Sequence, residues 1–128
     1  MLDHVGVTVA DFARSLAFYR LALAPLGIDV AMEVDSSLTG GSAHAGFGSE
    51  GKPFFWIGDG GAVAAGVHVA FLARSRAAVD AFHRAALAAG GVDNGAPGLR
   101  PHYHPNYYGA FVRDPDGHNV EAVCHHPE

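Results

Sequence analysis

The chain opens on an alternation of apolar and polar positions that predicts a strand followed by a helix. The valines of HVGVTV, residues 4–9, share one face of the predicted strand, and His4 lies on the other face with small neighbours. Asp11 is placed to cap the helix, and Gly27 to end it. The apolar residues of this helix recur at helical spacing: Phe12, Leu16, Tyr19 and Leu23.

Short apolar runs separated by glycine-rich turns follow this helix. They predict three strands, at about Ile28–Val34, Ser42–Phe47 and Pro53–Ile57. The stretch DGGAVAAG, Asp59–Gly66, has the composition of a linker.

The second half of the chain repeats this order. Val67–Leu72 alternates with His68 on the polar face, and Ser75 can cap a helix that Gly90 and Gly91 end. A shift of 64 residues superposes 11 identical residues in the 29 positions from Leu2 to Val30. We interpret the chain as two copies of a strand–helix–three-strand unit, module one at about residues 1–60 and module two at about 65–128.

A proline-rich loop leads into a hairpin at the end of module two. Its strands are predicted at about Tyr107–Arg113 and Asn119–Cys124, joined by the turn Asp-Pro-Asp-Gly at residues 114–117. Glu121 is the one acid in its otherwise apolar strand, where an unpaired carboxylate in a core would be costly. It therefore faces water, meets a cation or binds a metal.

Composition narrows the function classes. The 128 residues are 49% hydrophobic, which suits one compact domain, and the net charge of -5 with eight basic residues argues against nucleic-acid binding. No apolar run is long enough for a membrane span, and the start MLDHVGV lacks the features of a signal peptide. With Cys124 as the only cysteine, a cytoplasmic protein is expected. The nine histidines in the chain suggest that the protein binds a metal ion.

Three segments in this order, LDHVGVTVADFARSLAFY, GVHVAF and FVRDPDGHNVEAV, resemble the vicinal oxygen chelate superfamily. That superfamily includes glyoxalase I, fosfomycin-resistance proteins, extradiol dioxygenases and bleomycin-binding proteins. The resemblance implies an α+β fold over residues 1–128, a single domain in which two paired βαβββ modules form a U-shaped mixed sheet around a cavity. It also implies that His4, His68 and Glu121 hold one divalent ion: Fe, Mn, Zn, Ni or Co.

The residues themselves agree with that ligand set. His4 and His68 lie on the strand faces opposite the valines, and small neighbours leave space beside them. Two imidazoles and a carboxylate leave coordination positions open to substrate and water. We expect the three side chains to converge within one chain or across two. The alternative is that both histidines are satisfied core residues and Glu121 is a solvated edge residue.

Further site residues follow from the repeat and the resemblance. In the 64-residue repeat, Ile57 is the module-one equivalent of Glu121. The resembling glyoxalase I enzymes have a fourth metal ligand at that position, so Ile57 is expected to form an apolar wall beside the ion. Phe111 stands where extradiol dioxygenases have tyrosine. His104, and less well His102, lies at the distance of their acid–base histidine. Tyr108 is the expected hydrogen-bond donor and His44 a further lining residue. The alternative for this loop is a surface segment with stacked aromatic rings.

These features predict a metal-dependent enzyme whose small substrate chelates the ion through adjacent oxygens, by lyase, isomerase or dioxygenase chemistry. Open sheet edges predict a homodimer. The expected partners are a small molecule and a second copy, with neither nucleic acid nor membrane. Two alternatives remain: a metal-free protein that sequesters a small molecule, like the bleomycin-binding relatives, and a structural or regulatory dimer with a vestigial site.

Overall fold

Each half of the chain folds into its own four-stranded sheet in the computed structural model, which describes residues 1–37 and 40–128 in full and only the backbone of residues 38 and 39. The elements of module one are β1 (Val5–Thr8), α1 (Phe12–Leu23), a 3-10 turn (Ala24–Leu26), β2 (Asp29–Val34), α2 (Ser36–Thr39), β3 (His44–Ser49) and β4 (Lys52–Gly58). The elements of module two are β5 (His68–Leu72), α3 (Arg76–Ala88), β6 (Val92–Leu99), β7 (Tyr108–Arg113) and β8 (Asn119–Cys124).

The two sheets have the same topology. Their strand orders are β1-β4-β3-β2 and β5-β8-β7-β6, with the first pair of each order parallel and the others antiparallel. The predicted α+β fold of two βαβββ modules is therefore confirmed. The strands β1 and β5 are sheet edges, so their outer backbone groups are unpaired within their sheets.

The helices begin where the sequence predicts. The Asp11 carboxylate accepts a hydrogen bond of 3.1 Å from the Arg14 N–H, and the Ser75 hydroxyl accepts one of 3.1 Å from the Ala78 N–H. Gly27 follows the 3-10 turn with a φ of 75°, a left-handed conformation that glycine adopts without strain. Among the described residues, no helix is long and apolar enough to cross a membrane.

The core joins the two modules. The valine face of β1 and the alternate residues of β4 and β8 pack against α1 and α3, and the ring centroids of Phe55 and Phe71 lie 5.1 Å apart. The largest apolar core side chains are completely or almost completely buried: Tyr19, Phe18, Phe47, Phe55, Phe82, Leu23 and Ile57.

The Asp-Pro-Asp-Gly turn ties module two to module one. Asp114 accepts a hydrogen bond of 2.5 Å from the Tyr19 hydroxyl on α1, and the Ala10 N–H donates to Asp116 at 3.1 Å. The His118 imidazole lies 3.0 Å from the Thr8 carbonyl oxygen. The hairpin that carries Glu121 is therefore held by hydrogen bonds to residues at and around the junction of β1 and α1.

One segment differs from the sequence interpretation. The proline-rich stretch before the hairpin was expected to be a loop, but residues Val92–Leu99 form the edge strand β6. Pro97 fits there because an edge strand tolerates a residue without an N–H, and the pairing with β7 is irregular on both sides of Gly95.

Candidate functional site

Glu121 places a buried carboxylate on the sheet face opposite the core. Its neighbours Val120 and Ala122 belong to the core cluster, so alternation turns Glu121 to the other side of β8, where it is 1% exposed. Its Oε1 lies 2.9 Å from His68 Nε2, and its Oε2 accepts a hydrogen bond from the Tyr107 hydroxyl. The alternative that Glu121 is a solvated edge residue is therefore wrong.

The pairing of β5 with β8 explains why His68 reaches Glu121. Ala70 is the register partner of Glu121, and His68 lies two residues earlier on the same face. The small Ala70 side chain leaves room for the imidazole, which keeps 48% of its surface exposed. Two ligands bound at about 2.0–2.2 Å to one ion lie about 3 Å apart, so the spacing of these atoms fits a shared ion.

Glycine makes room for the carboxylate on the neighbouring strand. A Cβ at Gly109 would lie 3.2 Å from Glu121 Oε2 and 3.2 Å from the Tyr107 ring. That spacing is tighter than ordinary van der Waals contact. The missing side chain therefore lets Tyr107 fold over β7 and reach Oε2.

Tyr107, rather than the predicted Tyr108, is the hydroxyl donor. Burial and the hydrogen bond to Glu121 raise the pKa of Tyr107 well above its usual value, so the phenol stays protonated and keeps donating. Alternation could have found this residue, because Tyr107 directly precedes β7 and lies in step with Gly109 and Phe111, which share the face that Glu121 occupies on β8.

Tyr108, the predicted donor, faces the helix instead. Its hydroxyl donates to Asp80 on α3 at 2.6 Å, and the Arg76 guanidinium lies 5.3 Å from the ring centroid. The prediction that Tyr108 serves the site is wrong, because one residue along a strand reverses the direction of the side chain.

His4 does not join the pair of His68 and Glu121 within the chain. It precedes β1, keeps 59% of its side chain exposed, and has Nδ1 2.6 Å from an Asp3 oxygen. In the part of the chain with described side chains, only Asp114, Asp116 and His118 bring three potential ligand atoms within 4.8 Å of one another. The set of His4, His68 and Glu121 stays a prediction that needs a second copy of the chain.

The cluster at the hairpin turn has its polar atoms engaged. One Asp114 oxygen accepts the N–H groups of Asp116 and His118, both at 2.9 Å, and the other accepts the Tyr19 hydroxyl. With the contacts to Ala10 and Thr8 described above, these bonds account for the geometry. We assign the cluster to holding the turn.

Strand register corrects the position expected of Ile57. Gly6 pairs with Trp56 in module one, and Ala70 pairs with Glu121 in module two. Ala70 follows Gly6 by 64 residues, but Glu121 follows Trp56 by 65, so the residue equivalent to Glu121 is Trp56. Ile57 is fully buried in the core beneath the sheet, and the prediction of an apolar wall beside an ion is wrong for its side chain.

The remaining predicted residues lie at several separate places on the two modules. Phe111 pairs with Glu121 and has its ring centroid 6.1 Å from that of His68, whereas His44 borders a groove on module one. His104 Nε2 lies 2.8 Å from His125 Nδ1, and its ring meets the Tyr107 ring edge-on. His102 is exposed, with its ring centroid 4.2 Å from that of Tyr103. The assigned roles of these residues stay predictions.

Comparison with known proteins decides the family. The sequence profile described as Glyoxalase/Bleomycin resistance protein/Dioxygenase superfamily matches residues 1–122. The chain belongs to this superfamily. The resemblance inferred from the three sequence segments is therefore confirmed, and the match spans both modules of the chain. Among curated proteins, none matches the chain.

Solved structures of this superfamily have the same fold. A glyoxalase/bleomycin resistance protein from Albidiferax ferrireducens T118 is 32% identical, with 99% of each chain covered and a TM-score of 0.80. The E144Q mutant of glyoxalase I from Zea mays is 26% identical, with a TM-score of 0.73; the match covers 95% of this chain and 46% of that one. A related domain from Frankia sp. EAN1pec, 19% identical with 98% of each chain covered and a TM-score of 0.72, shares the fold.

Proposed function

We propose that the protein is a metal-dependent enzyme that acts on a small substrate carrying adjacent oxygens. The observation that carries this proposal is the buried Glu121 carboxylate, turned away from the core and bonded to His68 and Tyr107. A buried ionisable group beside an imidazole on an open sheet face is typical of a functional centre, because such a group costs folding stability.

His68 and Glu121 would hold one divalent ion, with His4 of a second copy as the third ligand. When bound, the ion would polarise the substrate oxygens as a Lewis acid. The Tyr107 hydroxyl holds one carboxylate oxygen and leaves the other directed at His68, which favours binding through a single oxygen. Phe111 is the register partner of Glu121 on β7 and would place an apolar ring beside the carboxylate on that side.

A homodimer follows from the same proposal. His4 and His68 are both exposed, and the edge strands β1 and β5 have open outer sides. Leu72, on β5, leaves 70% of its surface exposed, which a partner would cover. We expect an interface that buries more than about 1,000 Å² in total. The cytoplasmic location stays a prediction.

Metal titration of four proteins tests the ligand set. Isothermal calorimetry with Zn²⁺ and Mn²⁺ should show binding to the wild type and a loss of about a hundredfold or more in Glu121→Gln and His68→Ala, because two remaining ligands bind weakly. His126→Ala, which removes an exposed imidazole outside the predicted site, is the matched control and should bind like the wild type. Equal affinity in all four proteins would contradict the proposal.

A mixing experiment decides whether the site spans two chains. His4→Ala and Glu121→Gln, each unable to bind metal alone, are combined, unfolded and refolded together. A shared site should recover part of the metal binding, because a mixed dimer has one intact set of ligands. Absence of recovery, with the dimer confirmed by light scattering, would show that each site belongs to one chain. A metal-free wild type that still binds small molecules would favour the sequestering alternative.

A further inference from the structure

Arg100 places a positive charge on the open face of module two. It follows β6, and its backbone N–H donates to the Tyr107 carbonyl oxygen at 2.7 Å, which closes the pairing of β6 with β7. The guanidinium carbon lies 5.5 Å from the centroid of the Phe111 ring. Phe111 is the register partner of Glu121, and its ring centroid lies 6.1 Å from that of His68. The guanidinium is therefore on the same side of the sheet as the Glu121 carboxylate.

Two glycines of β6 make room for this side chain. A Cβ at Gly98 would lie 3.2 Å from Nη1 of Arg100. A Cβ at Gly95 would lie 3.3 Å from Nη2 of Arg100 and 2.9 Å from Cδ1 of Phe111. Because a side chain at either position would crowd the guanidinium, the strand presents bare backbone at both. Arg100 therefore lies close to the sheet, beside the Phe111 ring.

The polar contacts of the guanidinium fix its position and leave its charge unbalanced. Nη1 donates to the Gly98 carbonyl oxygen at 2.8 Å, and Nη2 donates to that of Ala96 at 2.7 Å. These acceptors carry no net charge, and where side chains are described no ion pair includes Arg100. A guanidinium has five N–H groups, so donors remain for a ligand.

The charge of Arg100 acts on the part of the face that holds Glu121. Burial and Glu121 raise the pKa of Tyr107, and the positive charge of Arg100 opposes that rise. The strands β6 and β8 flank β7, so they lie about 10 Å apart, two spacings of about 4.8 Å. One six-membered ring with its substituents spans the distance from an ion at Glu121 to the guanidinium.

We propose that Arg100 selects substrates that carry a carboxylate about one ring away from the oxygens that chelate the ion. This inference rests on the proposed function, because it adds an anionic group to the same substrate. The free N–H groups of the guanidinium bind the carboxylate by charge-assisted hydrogen bonds. The carbonyl groups of β6 and the Phe111 ring keep the guanidinium in place.

Two chelating ligands of nearly equal size test this selection: 3,4-dihydroxybenzoate and its neutral counterpart 3,4-dihydroxybenzamide. Both present adjacent oxygens to the ion, and only the first carries a carboxylate at the other end of the ring. Calorimetry on protein loaded with Mn²⁺ and freed of excess ion should show about tenfold tighter binding of the dihydroxybenzoate, because hydrogen bonds to charged groups are the stronger ones. Equal affinity of the two ligands would overturn the proposal.

Variants show whether Arg100 causes the preference. Arg100→Gln should remove it and leave the affinity for the dihydroxybenzamide within about twofold of the wild type, and Arg100→Lys should keep part of it. Arg84→Gln is the matched control, since Arg84 is exposed on α3, which packs on the other side of the sheet. A purely structural role would weaken both ligands equally. That result, or an unchanged preference in Arg100→Gln, would contradict the proposal; if Arg100→Gln does not fold, a reduced preference in Arg100→Lys decides.

Failure of the proposed function gives a different result: the protein takes up no ion, or EDTA leaves the affinity of both ligands unchanged. Arg100 needs no ion to hold a carboxylate, so benzoate and benzamide then decide the inference in protein treated with EDTA. Benzoate should bind more tightly than benzamide to the wild type and to Arg84→Gln, and equally to Arg100→Gln. The same affinity for both compounds in the wild type would overturn the proposal.

Discussion

The open faces of the two sheets differ in where they place an aromatic ring and a charge. In module one, β4 carries Trp56 across the bare backbone of Gly46. In module two, the equivalent strand β8 carries Glu121, and its partner on β7 is Phe111. In module two the large ring, Phe111, lies on the neighbouring strand β7, and the position equivalent to Trp56 is the carboxylate of Glu121.

This exchange shows that one backbone topology carries two different sets of side chains on its open faces. The face of module two gathers a carboxylate, an imidazole and a phenol, which suit an ion and oxygen-bearing groups. The groove on the face of module one is lined by an indole and an imidazole and by no carboxylate. Side chains at equivalent positions, rather than the fold, separate the two faces.

The largest expected effect tests the register that underlies this comparison. Ile57→Glu should destabilise the protein by about 3–5 kcal/mol or prevent folding, because it buries an unpaired carboxylate in the core. Trp56→Glu, one residue earlier, should cost far less, because that side chain lies on the open face. Chemical denaturation of both variants measures the difference. Equal losses would show that the two positions do not face opposite sides of β4.

The next effect concerns the contact that holds the modules together. Tyr19→Phe should lower the free energy of unfolding by about 1–3 kcal/mol, because it leaves a buried Asp114 oxygen without its hydroxyl donor. Tyr103→Phe alters a tyrosine that is 60% exposed and should change stability by less than about 0.5 kcal/mol. Urea denaturation compares the two variants. If the free energy of unfolding falls less in Tyr19→Phe than in Tyr103→Phe, the hydrogen bond between Tyr19 and Asp114 contributes little to stability.

Adjacent tyrosines provide a further test of module two. Tyr108→Phe should cost about 1 kcal/mol of stability through the lost bond to Asp80 and leave metal binding unchanged. Tyr107→Phe should change metal affinity severalfold, because it frees Oε2 of Glu121. Denaturation and metal calorimetry on both variants separate these outcomes. A change of metal affinity only in Tyr108→Phe would reverse the assignment.

The smallest effect appears at alkaline pH. Burial and the bond to Glu121 raise the pKa of Tyr107 above its value of 10.0 in the unfolded chain. The folded state therefore favours the protonated phenol, so this contribution to stability is complete below pH 10 and is lost as the pH rises through the raised pKa. The near-ultraviolet absorbance of phenolate, compared between wild type and Tyr107→Phe, follows this group. Glu121→Gln should move its titration to lower pH.

A Tyr107 signal that titrates at the ordinary pH in the wild type would mean that the phenol does not bond to Glu121 in solution. The Tyr108→Phe variant is the control for this measurement. The bond to Asp80 and burial also raise the pKa of Tyr108, so its removal identifies a second high-pH component. Burial and Asp114 raise the pKa of Tyr19 as well, and Tyr19→Phe identifies that third component.

The sequence by itself determined the repeat, the helix caps, the final turn and the need of the Glu121 carboxylate for a partner. Each depends on local chemistry: Asp11 and Ser75 accept the N–H groups of the next turn, and an acid among apolar strand residues needs a partner. The family followed from three segments whose residues are contiguous in the chain. None of these inferences required knowing which strands are neighbours.

Tertiary structure decided which neighbouring residue faces the site. Trp56 rather than Ile57 is equivalent to Glu121, and Tyr107 rather than Tyr108 donates to it. Both errors were of one residue, because module two has one residue more between its first and last strands and because alternation reverses with every step. Register is set by hydrogen bonds between strands far apart in sequence, which a repeat in one chain does not reveal.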